Sequence, residues 1–128
     1  MKILVVEDNP VNRELTADIL GAAGYTVLQA ENAERGIALA RVERPALILM
    51  DVRLPGMDGL SATEILKEET ETREIPVVAL TAHAMKGDEE KALAAGCEGY
   101  ITKPIDTRAL PREVAGFLSS GWADERAR

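Results

Sequence analysis

Cysteine and aromatic residues are scarce in this sequence. Cys97 is the one cysteine among 128 residues, so no internal disulfide can form, which fits a reducing compartment. Aromatic residues make up 3% of the chain, although hydrophobic residues make up 46%. The core must therefore be packed with leucine, isoleucine, valine and alanine. A chain of this length suits one domain that buries roughly two thirds of its unfolded surface.

Positive charge and long apolar runs are also lacking. The formal net charge is −7, whereas direct binding of nucleic acid requires a basic face. The same charge disfavours adsorption to an anionic membrane. No apolar run approaches the roughly 20 residues of a membrane span, and no signal peptide is recognisable. We therefore expect a cytoplasmic protein with no direct nucleic-acid partner and no membrane partner.

Short apolar runs and amphipathic stretches alternate five times along the chain. Apolar runs bounded by turn residues are typical of strands buried on both faces, and they lie at residues 2–6, 26–30, 46–51, 75–80 and 99–101. Helices are predicted after the cap residues Asn9, Asn32 and Asp58, at residues 84–95, and at residues 107–118. The last helix has a separate first turn at 107–110, because Pro111 would break a helix interior. The alternation predicts an α/β fold, a flavodoxin-like doubly wound five-stranded parallel sheet in the order 2-1-3-4-5 with five helices.

Four of the predicted strands end in residues that carry chemistry. The first strand is followed by Glu7 and Asp8, the third ends in Asp51, the fourth leads to Thr81 and the fifth leads to Lys103. In the order 2-1-3-4-5 these four strands are neighbours. Their carboxyl ends lie along one edge of the sheet, which is where open α/β folds bind ligands. We expect the five side chains to converge on one cleft.

The three carboxylates predict a cation site. Carboxylates brought together repel one another and raise each other's pKa unless a cation lies among them. Oxygen ligands without histidine or cysteine favour Mg²⁺, which keeps positions for water and phosphate. Because adjacent strand residues point in opposite directions, one of Glu7 and Asp8 should bind the ion directly and the other through water. We favour Asp8 for the direct contact.

This cleft has the composition of a phosphoryl-accepting site. Asp51 would be the nucleophile, and Mg²⁺ and the Lys103 ammonium would neutralise charge on the oxygens of the transferred group. The Thr81 hydroxyl would donate a hydrogen bond to one of those oxygens. Each residue alone has a simpler reading as a helix cap, a surface charge or a strand end, and the conjunction favours the site.

Four segments together resemble the receiver domain of bacterial two-component response regulators. They are VEDN at residues 6–9, LMDVRLPGMDG at 49–59, ALTA at 79–82 and YITKP at 100–104. The resemblance runs from about residue 2 to residue 118, in the family's order and spacing. It implies a phosphorylation-dependent signalling switch that receives its phosphoryl group from a histidine kinase or a histidine phosphotransferase.

The resemblance also implies a role for each matching residue. Asp51 matches the phosphorylated aspartate, and Glu7, Asp8, Asp51 and the backbone carbonyl of Arg53 match the Mg²⁺ ligands. Lys103 matches the lysine that contacts the phosphoryl group, and its peptide bond to Pro104 is usually cis in the family. Ordinary X–Pro bonds in folded proteins are cis about 5% of the time, so this is a sharp expectation.

Four positions match residues that transmit or time the signal. Thr81 and Tyr100 match a switch pair in which the hydroxyl moves to the phosphoryl group and the ring moves into the space left behind. Arg53 and His83 match positions that tune the lifetime of the phosphorylated state. A downstream protein would bind the face formed by the fourth helix, fifth strand and fifth helix.

Two alternatives stay open from the sequence. An aspartyl-phosphate phosphatase usually has a second acid two residues after the nucleophile, but Arg53 stands there and cannot transfer a proton near neutral pH. We therefore expect a phosphoacceptor rather than an enzyme. Residues 1–118 form the expected receiver domain and residues 119–128 a short polar tail. We favour a single-domain regulator over an N-terminal receiver domain excised from a larger regulator or kinase.

Overall fold

The computed structural model describes residues 1–82 and 86–119, in which strands and helices alternate from end to end. The strands are β1 (Lys2–Val6), β2 (Thr26–Ala30), β3 (Leu47–Asp51), β4 (Val77–Thr81) and β5 (Gly99–Thr102). The helices are α1 (Pro10–Ala22), α2 (Ala33–Glu43), α3 (Gly59–Glu68), α4 (Lys86–Ala95) and α5 (Leu110–Ser119). All strand pairs are parallel, and the order is β2-β1-β3-β4-β5. The predicted fold class and strand order are confirmed.

The predicted helix starts follow from local hydrogen bonds. The side chain of Asn9 accepts from the amides of Val11 and Asn12, and Asn32 and Asp58 cap α2 and α3 in the same way. Before α5, Asp106 caps a separate turn, and the helix begins at Leu110, one residue earlier than predicted. The cap residues therefore locate the helix starts to within a residue or two.

One predicted boundary is wrong by two residues, and part of the chain lies outside the described residues. Strand β4 begins at Val77 rather than at Ile75, because Pro76 has no amide proton to donate to a neighbouring strand. His83, the first two residues of the predicted fourth helix and residues 120–128 of the predicted polar tail lie outside the described part of the chain.

The sheet separates two apolar layers. All residues of β3 are buried, and their side chains alternate between the two faces. Ile48 and Met50 pack in the layer covered by α2, α3 and α4, while Leu47 and Leu49 pack in the layer covered by α1 and α5. This confirms that the run before Asp51 is a doubly buried strand, and it fixes Asp51 at the carboxyl edge of the sheet. In the described residues, no helix is both long enough and apolar enough to cross a membrane.

Gly59 allows α3 to start directly against the end of β3. Its amide donates to the carbonyl of Val52 over 3.0 Å. A Cβ atom at this position would lie 2.0 Å from the carbonyl oxygen of Asp51, which is far inside van der Waals contact. A side chain at residue 59 would therefore force the backbone of the loop that follows Asp51 to move.

We predict that Gly59→Ala lowers the free energy of unfolding by about 1–3 kcal/mol, because backbone must move to admit the methyl group. The matched control is Gly116→Ala in α5, where a Cβ would meet nothing within 4 Å. That control should be neutral or stabilising by up to about 1 kcal/mol. Urea denaturation of both variants measures the difference, and equal free energies for both would contradict the close approach at Gly59.

Candidate functional site

The carboxyl edge of the sheet holds a cleft of about 270 Å³. The sequence-predicted residues that line it are Glu7, Asp8, Asp51, Arg53, Thr81 and Lys103. The structure therefore brings together the residues that follow β1, β3, β4 and β5. Of the five other lining residues, Asn9 and Asn12 are the polar ones that were not predicted as site residues. Their signal in the sequence is the three-residue spacing, which places both on one side of the first turn of α1.

Asp51 is buried at the floor of this cleft, with 4% of its surface exposed. Its Oδ1 accepts a hydrogen bond from the amide of Arg53 over 3.0 Å, and its Oδ2 accepts one from Lys103 Nζ over 2.9 Å. The carboxylate is thus held by one backbone donor and one ammonium group. Its position at the edge of the sheet leaves it facing the cleft.

Lys103 connects Asp51 to a second buried acid, Glu7. The ammonium donates to Glu7 Oε1 over 2.6 Å, and Glu7 is 2% exposed. Burial raises the pKa of Glu7, contact with Asp51 raises it further, and the bond from Lys103 only partly opposes these effects. Burial by itself would lower the pKa of Lys103, but its bonds to Glu7 and Asp51 outweigh burial and raise that pKa. One cation therefore balances two close carboxylates.

The acidic residues meet the requirements of a cation site. Glu7, Asp8 and Asp51 each offer a carboxylate oxygen, and these oxygens lie within 4.8 Å of one another. Glu7 and Asp51 are buried, whereas Asp8 is exposed to the cleft. A set of carboxylate oxygens without nitrogen or sulfur is suited to a hard divalent cation.

The loop between β1 and α1 is fixed by a residue that the sequence did not single out. Nη1 of Arg13, in α1, donates to the carbonyl of Glu7 over 2.9 Å, and the amide of Asn9 donates to Glu7 Oε2 over 3.3 Å. These contacts orient the backbone and the carboxylate of Glu7. At the opposite side of the cleft the Lys103–Pro104 peptide bond is cis, as the family resemblance implies.

Tyr100 does not line the cleft but shares a neighbouring cavity with Thr81. Tyr100 pairs with Ala79 in the β4–β5 register, so the side chains of Thr81 and Tyr100 project from the same face of the sheet. Both residues line a cavity of about 190 Å³ between the sheet and α4. Thr81 therefore borders the cleft on one side and the cavity on the other. His83, which was predicted to act on the lifetime of the phosphorylated state, lies outside the described residues.

Comparison with known proteins gives consistent matches over most of the chain. Residues 3–115 match the response regulator receiver domain family. The polar-differentiation response regulator DivK of Brucella anthropi is 45% identical over 116 residues, which cover 91% of this chain and 94% of that protein. DivK of Brucella ovis is 43% identical over the same shares of both chains.

Solved structures of receiver domains superimpose closely on this chain. The receiver domain of a sensor histidine kinase from Pseudomonas aeruginosa, which has a magnesium ion in its active-site cleft, gives a TM-score of 0.86 at 39% identity. That match covers 93% of this chain and 98% of the other. The chemotaxis protein CheY4 of Vibrio cholerae gives a TM-score of 0.85 at 25% identity over 89% of this chain and 95% of the other.

We predict that Lys103→Met lowers the free energy of unfolding by about 2 kcal/mol in buffer without divalent cations, because Glu7 and Asp51 lose their shared counter-charge while buried. The control is Lys2→Met, which removes an exposed ion pair with Glu43 and should cost less than about 1 kcal/mol. Urea denaturation of both variants gives the comparison. Equal losses would show that the ammonium of Lys103 does not relieve the repulsion between the two acids.

Proposed function

The chain belongs to the response regulator receiver domain family, and on that basis we propose that it is a phosphorylation-dependent switch whose acceptor is Asp51. The observation that supports this most directly is the environment of the Asp51 carboxylate. It is buried at the edge of the sheet, it faces an open cleft, and an ammonium group and two further acids lie beside it. A partner that transfers phosphoryl groups is implied by the family, and we propose that it is a histidine kinase or a histidine phosphotransferase.

The proposed reaction moves one phosphoryl group from a phosphohistidine to Asp51. A carboxylate oxygen of Asp51 forms a bond to phosphorus while the bond from phosphorus to the imidazole nitrogen breaks, and the imidazole takes up a proton. The amide of Arg53 and the ammonium of Lys103 orient the carboxylate beforehand. Lys103 then remains close enough to pair with the oxygens of the transferred group, and the Thr81 hydroxyl donates to one of them. These roles need positioned charges and little covalent chemistry from the protein.

We propose Mg²⁺ as the cation of the acidic cluster. Glu7, Asp8, Asp51 and the backbone carbonyl of Arg53 would hold it, with Asp8 in direct contact. When bound, the ion supplies positive charge next to the oxygens of the transferred group. Asp8 is the exposed member of the acidic cluster, so its carboxylate is the most accessible to an ion that arrives from water. This accessibility supports its direct role.

We propose that Thr81 and Tyr100 report the state of Asp51. Their common cavity gives the Thr81 hydroxyl and the Tyr100 ring room to change position together. Arg53, which is exposed at the cleft, and His83 would set how long the acyl phosphate survives.

Two surfaces are available to protein partners. A groove of about 390 Å³ lies beside the acceptor cleft, with Leu15, Pro104 and Ile105 in its wall, and it shares Lys103 with the cleft. A protein phosphodonor that docks over the cleft would contact this groove. The downstream target would bind the face of α4, β5 and α5, where Leu93 is 54% exposed and a second groove lies between Tyr100 and Phe117. The cytoplasm, where such kinases present their phosphohistidine, is the location we propose.

We propose that the chain is not an enzyme, although it assists its own phosphorylation and dephosphorylation. Arg53 stands at the position where a phosphatase of the aspartate-nucleophile type needs a proton-transferring acid. The phosphorylated protein is then the product that partners recognise. Sustained turnover of a phosphate ester that depends on Asp51 would contradict this.

We predict that acetyl phosphate with Mg²⁺ adds one base-labile phosphoryl group to the protein. Asp51→Asn should abolish the modification because the nucleophile is lost, and omission of Mg²⁺ should do the same. Asp18→Asn, an exposed acid on α1, is the matched control and should be modified normally. Intact-protein mass spectrometry measures the product. Labelling of Asp51→Asn at the wild-type level would overturn the assignment of the acceptor.

We also predict that Mg²⁺ stabilises the fold. At a concentration tenfold above its dissociation constant, the ion should raise the free energy of unfolding by about 1.4 kcal/mol, because it binds the folded cluster and not the unfolded chain. Asp8→Asn should remove most of this gain, whereas Asp18→Asn should retain it. Denaturation with and without Mg²⁺ provides the measurement, and an undiminished gain in Asp8→Asn would contradict a ligand role for Asp8.

A further inference from the structure

The loop between β1 and α1 carries two of the three acids of the cluster, and a single residue of α1 holds its backbone. Nη1 of Arg13 donates to the carbonyl of Glu7 over 2.9 Å and, in a longer bond, to the carbonyl of Asp8 over 3.5 Å. The backbone amide of Arg13 donates to the carbonyl of Asn9 over 2.9 Å. Three successive carbonyl groups of the loop therefore accept from the same residue.

The start of α1 brings Arg13 to this position. Asn9 caps the helix and Pro10 is its first residue, so Arg13 follows the cap by about one turn. Side chains of a helix tilt toward its amino end. The long side chain of Arg13 therefore reaches back over the first turn to the loop that precedes the helix.

The two bonds from Nη1 orient both peptide groups that flank Asp8. A peptide group is planar, so a hydrogen bond to its carbonyl oxygen orients the whole group. The carbonyl of Glu7 belongs to the group before the Cα atom of Asp8, and the carbonyl of Asp8 belongs to the group after it. The amide of Glu7 is held in turn by the carbonyl of Ala30 at the end of β2, over 3.0 Å. The direction in which the Asp8 side chain leaves the backbone therefore depends on Arg13.

Asp8 depends on this restraint more than the other two acids do. Glu7 and Asp51 are buried, and each accepts a hydrogen bond from Lys103. Asp8 is exposed, so its carboxylate has less packing around it. Binding of a cation removes conformational freedom from such a side chain, and a backbone that already directs it toward the other ligands lowers that cost.

We propose that Arg13 is a positioning residue of the cation site, and that it holds the loop in the arrangement in which the carboxylate of Asp8 meets those of Glu7 and Asp51. This inference rests on the proposed Mg²⁺ site and adds the residue that organises its ligands from outside. Within the described part of the chain, Arg13 is not among the residues that line the acceptor cleft. Its influence on a bound ion therefore passes through the backbone of the loop.

The charge of Arg13 and its hydrogen bonds have opposite effects on cation binding. A positive group near a cation site repels the ion, so loss of the charge alone would strengthen binding. Loss of the bonds to the loop would weaken it. Groups that orient metal ligands from outside contribute roughly ten- to a hundredfold to affinity, and we expect the lower value because Arg13 contacts the backbone of the ligands rather than their carboxylates. Arg13→Gln should therefore raise the dissociation constant for Mg²⁺ about tenfold.

Urea denaturation of the full chain at a series of Mg²⁺ concentrations and constant ionic strength measures this constant. The gain in the free energy of unfolding depends on the ratio of the Mg²⁺ concentration to the dissociation constant, so each variant yields its own value. A purely structural role for Arg13 would lower the free energy of unfolding equally at every Mg²⁺ concentration. A dissociation constant in Arg13→Gln that is equal to or lower than that of the parent would overturn the proposal.

The matched control is Arg35→Gln. Arg35, on α2, lines the same outer polar cavity of about 270 Å³ as Arg13, so its loss removes an equal charge nearby. The control should leave the dissociation constant unchanged or slightly lower. Arg13→Lys keeps the charge and one donor group, and its constant should lie between those of the parent and Arg13→Gln. A rise in Arg35→Gln as large as that in Arg13→Gln would show that the bonds to the loop are not the cause.

A second measurement follows phosphorylation by acetyl phosphate over the same range of Mg²⁺. Arg13→Gln should need about tenfold more Mg²⁺ for the half-maximal rate and should reach the rate of the parent at saturation, because Arg13 acts on the ligands and not on the transferred group. A lower rate at saturation with an unchanged Mg²⁺ requirement would overturn the proposal. Absence of labelling in the parent would instead contradict the proposed acceptor, and denaturation would still decide the role of Arg13.

Nitrogen-15 relaxation without Mg²⁺ tests the hold on the loop separately from the ion. The backbone order parameters of Asp8 and Asn9 should fall in Arg13→Gln and stay at the parent value in Arg35→Gln. Equal order parameters in the two variants would overturn the proposal. A parent chain that gains no stability from Mg²⁺ would contradict the proposed cation site, and relaxation would still decide whether Arg13 orders the loop.

Discussion

A single ammonium group between two buried carboxylates is the interaction on which the site depends. Lys103 Nζ donates to Glu7 over 2.6 Å and to Asp51 over 2.9 Å, and both acids are almost fully buried. Burial of two like charges is unfavourable, and one cation compensates only part of that cost. The negative charge in the cleft therefore exceeds the positive charge that Lys103 supplies. The exposed Asp8 adds a third carboxylate to the cleft, so the folded chain offers a set of oxygens suited to a divalent cation.

The parallel sheet produces this concentration of charge at little cost to the rest of the fold. Four neighbouring strands end at the same edge, and each contributes one or two polar residues after a buried apolar run. The strands themselves are buried on both faces, and the acids that follow them line the cleft at this edge. Gly59 keeps this geometry compact, because α3 begins in contact with the backbone of Asp51.

The sequence predicted the fold and six of the residues that line the cleft, because both depend on local patterns. Apolar runs located the strands, cap residues located the helices, and the strand order placed Glu7, Asp51 and Lys103 together. Contacts that depend on side-chain reach across elements were not predictable in the same way. Arg13 bonds to the backbone of Glu7 from the next helix, and Glu89 lines the same cavity as Tyr100 from α4. Neither residue belongs to a motif, and only the packing of the helices onto the sheet brings them to these positions. Strand β4 begins later than predicted for a similar reason, because Pro76 has no amide proton to donate to a neighbouring strand.

Thr81 lies between the charged cleft and the cavity under α4, and this arrangement would set how fast a change at Asp51 reaches that cavity. The two spaces share Val52 and Thr81 in their walls, so a change in one can reach the other without movement of a domain. Side-chain and local helix rearrangements occur from picoseconds to milliseconds. A partner that binds the outer surface would therefore meet side chains that have already reached equilibrium. The rate of the response would then be set by the rates of phosphorylation and dephosphorylation.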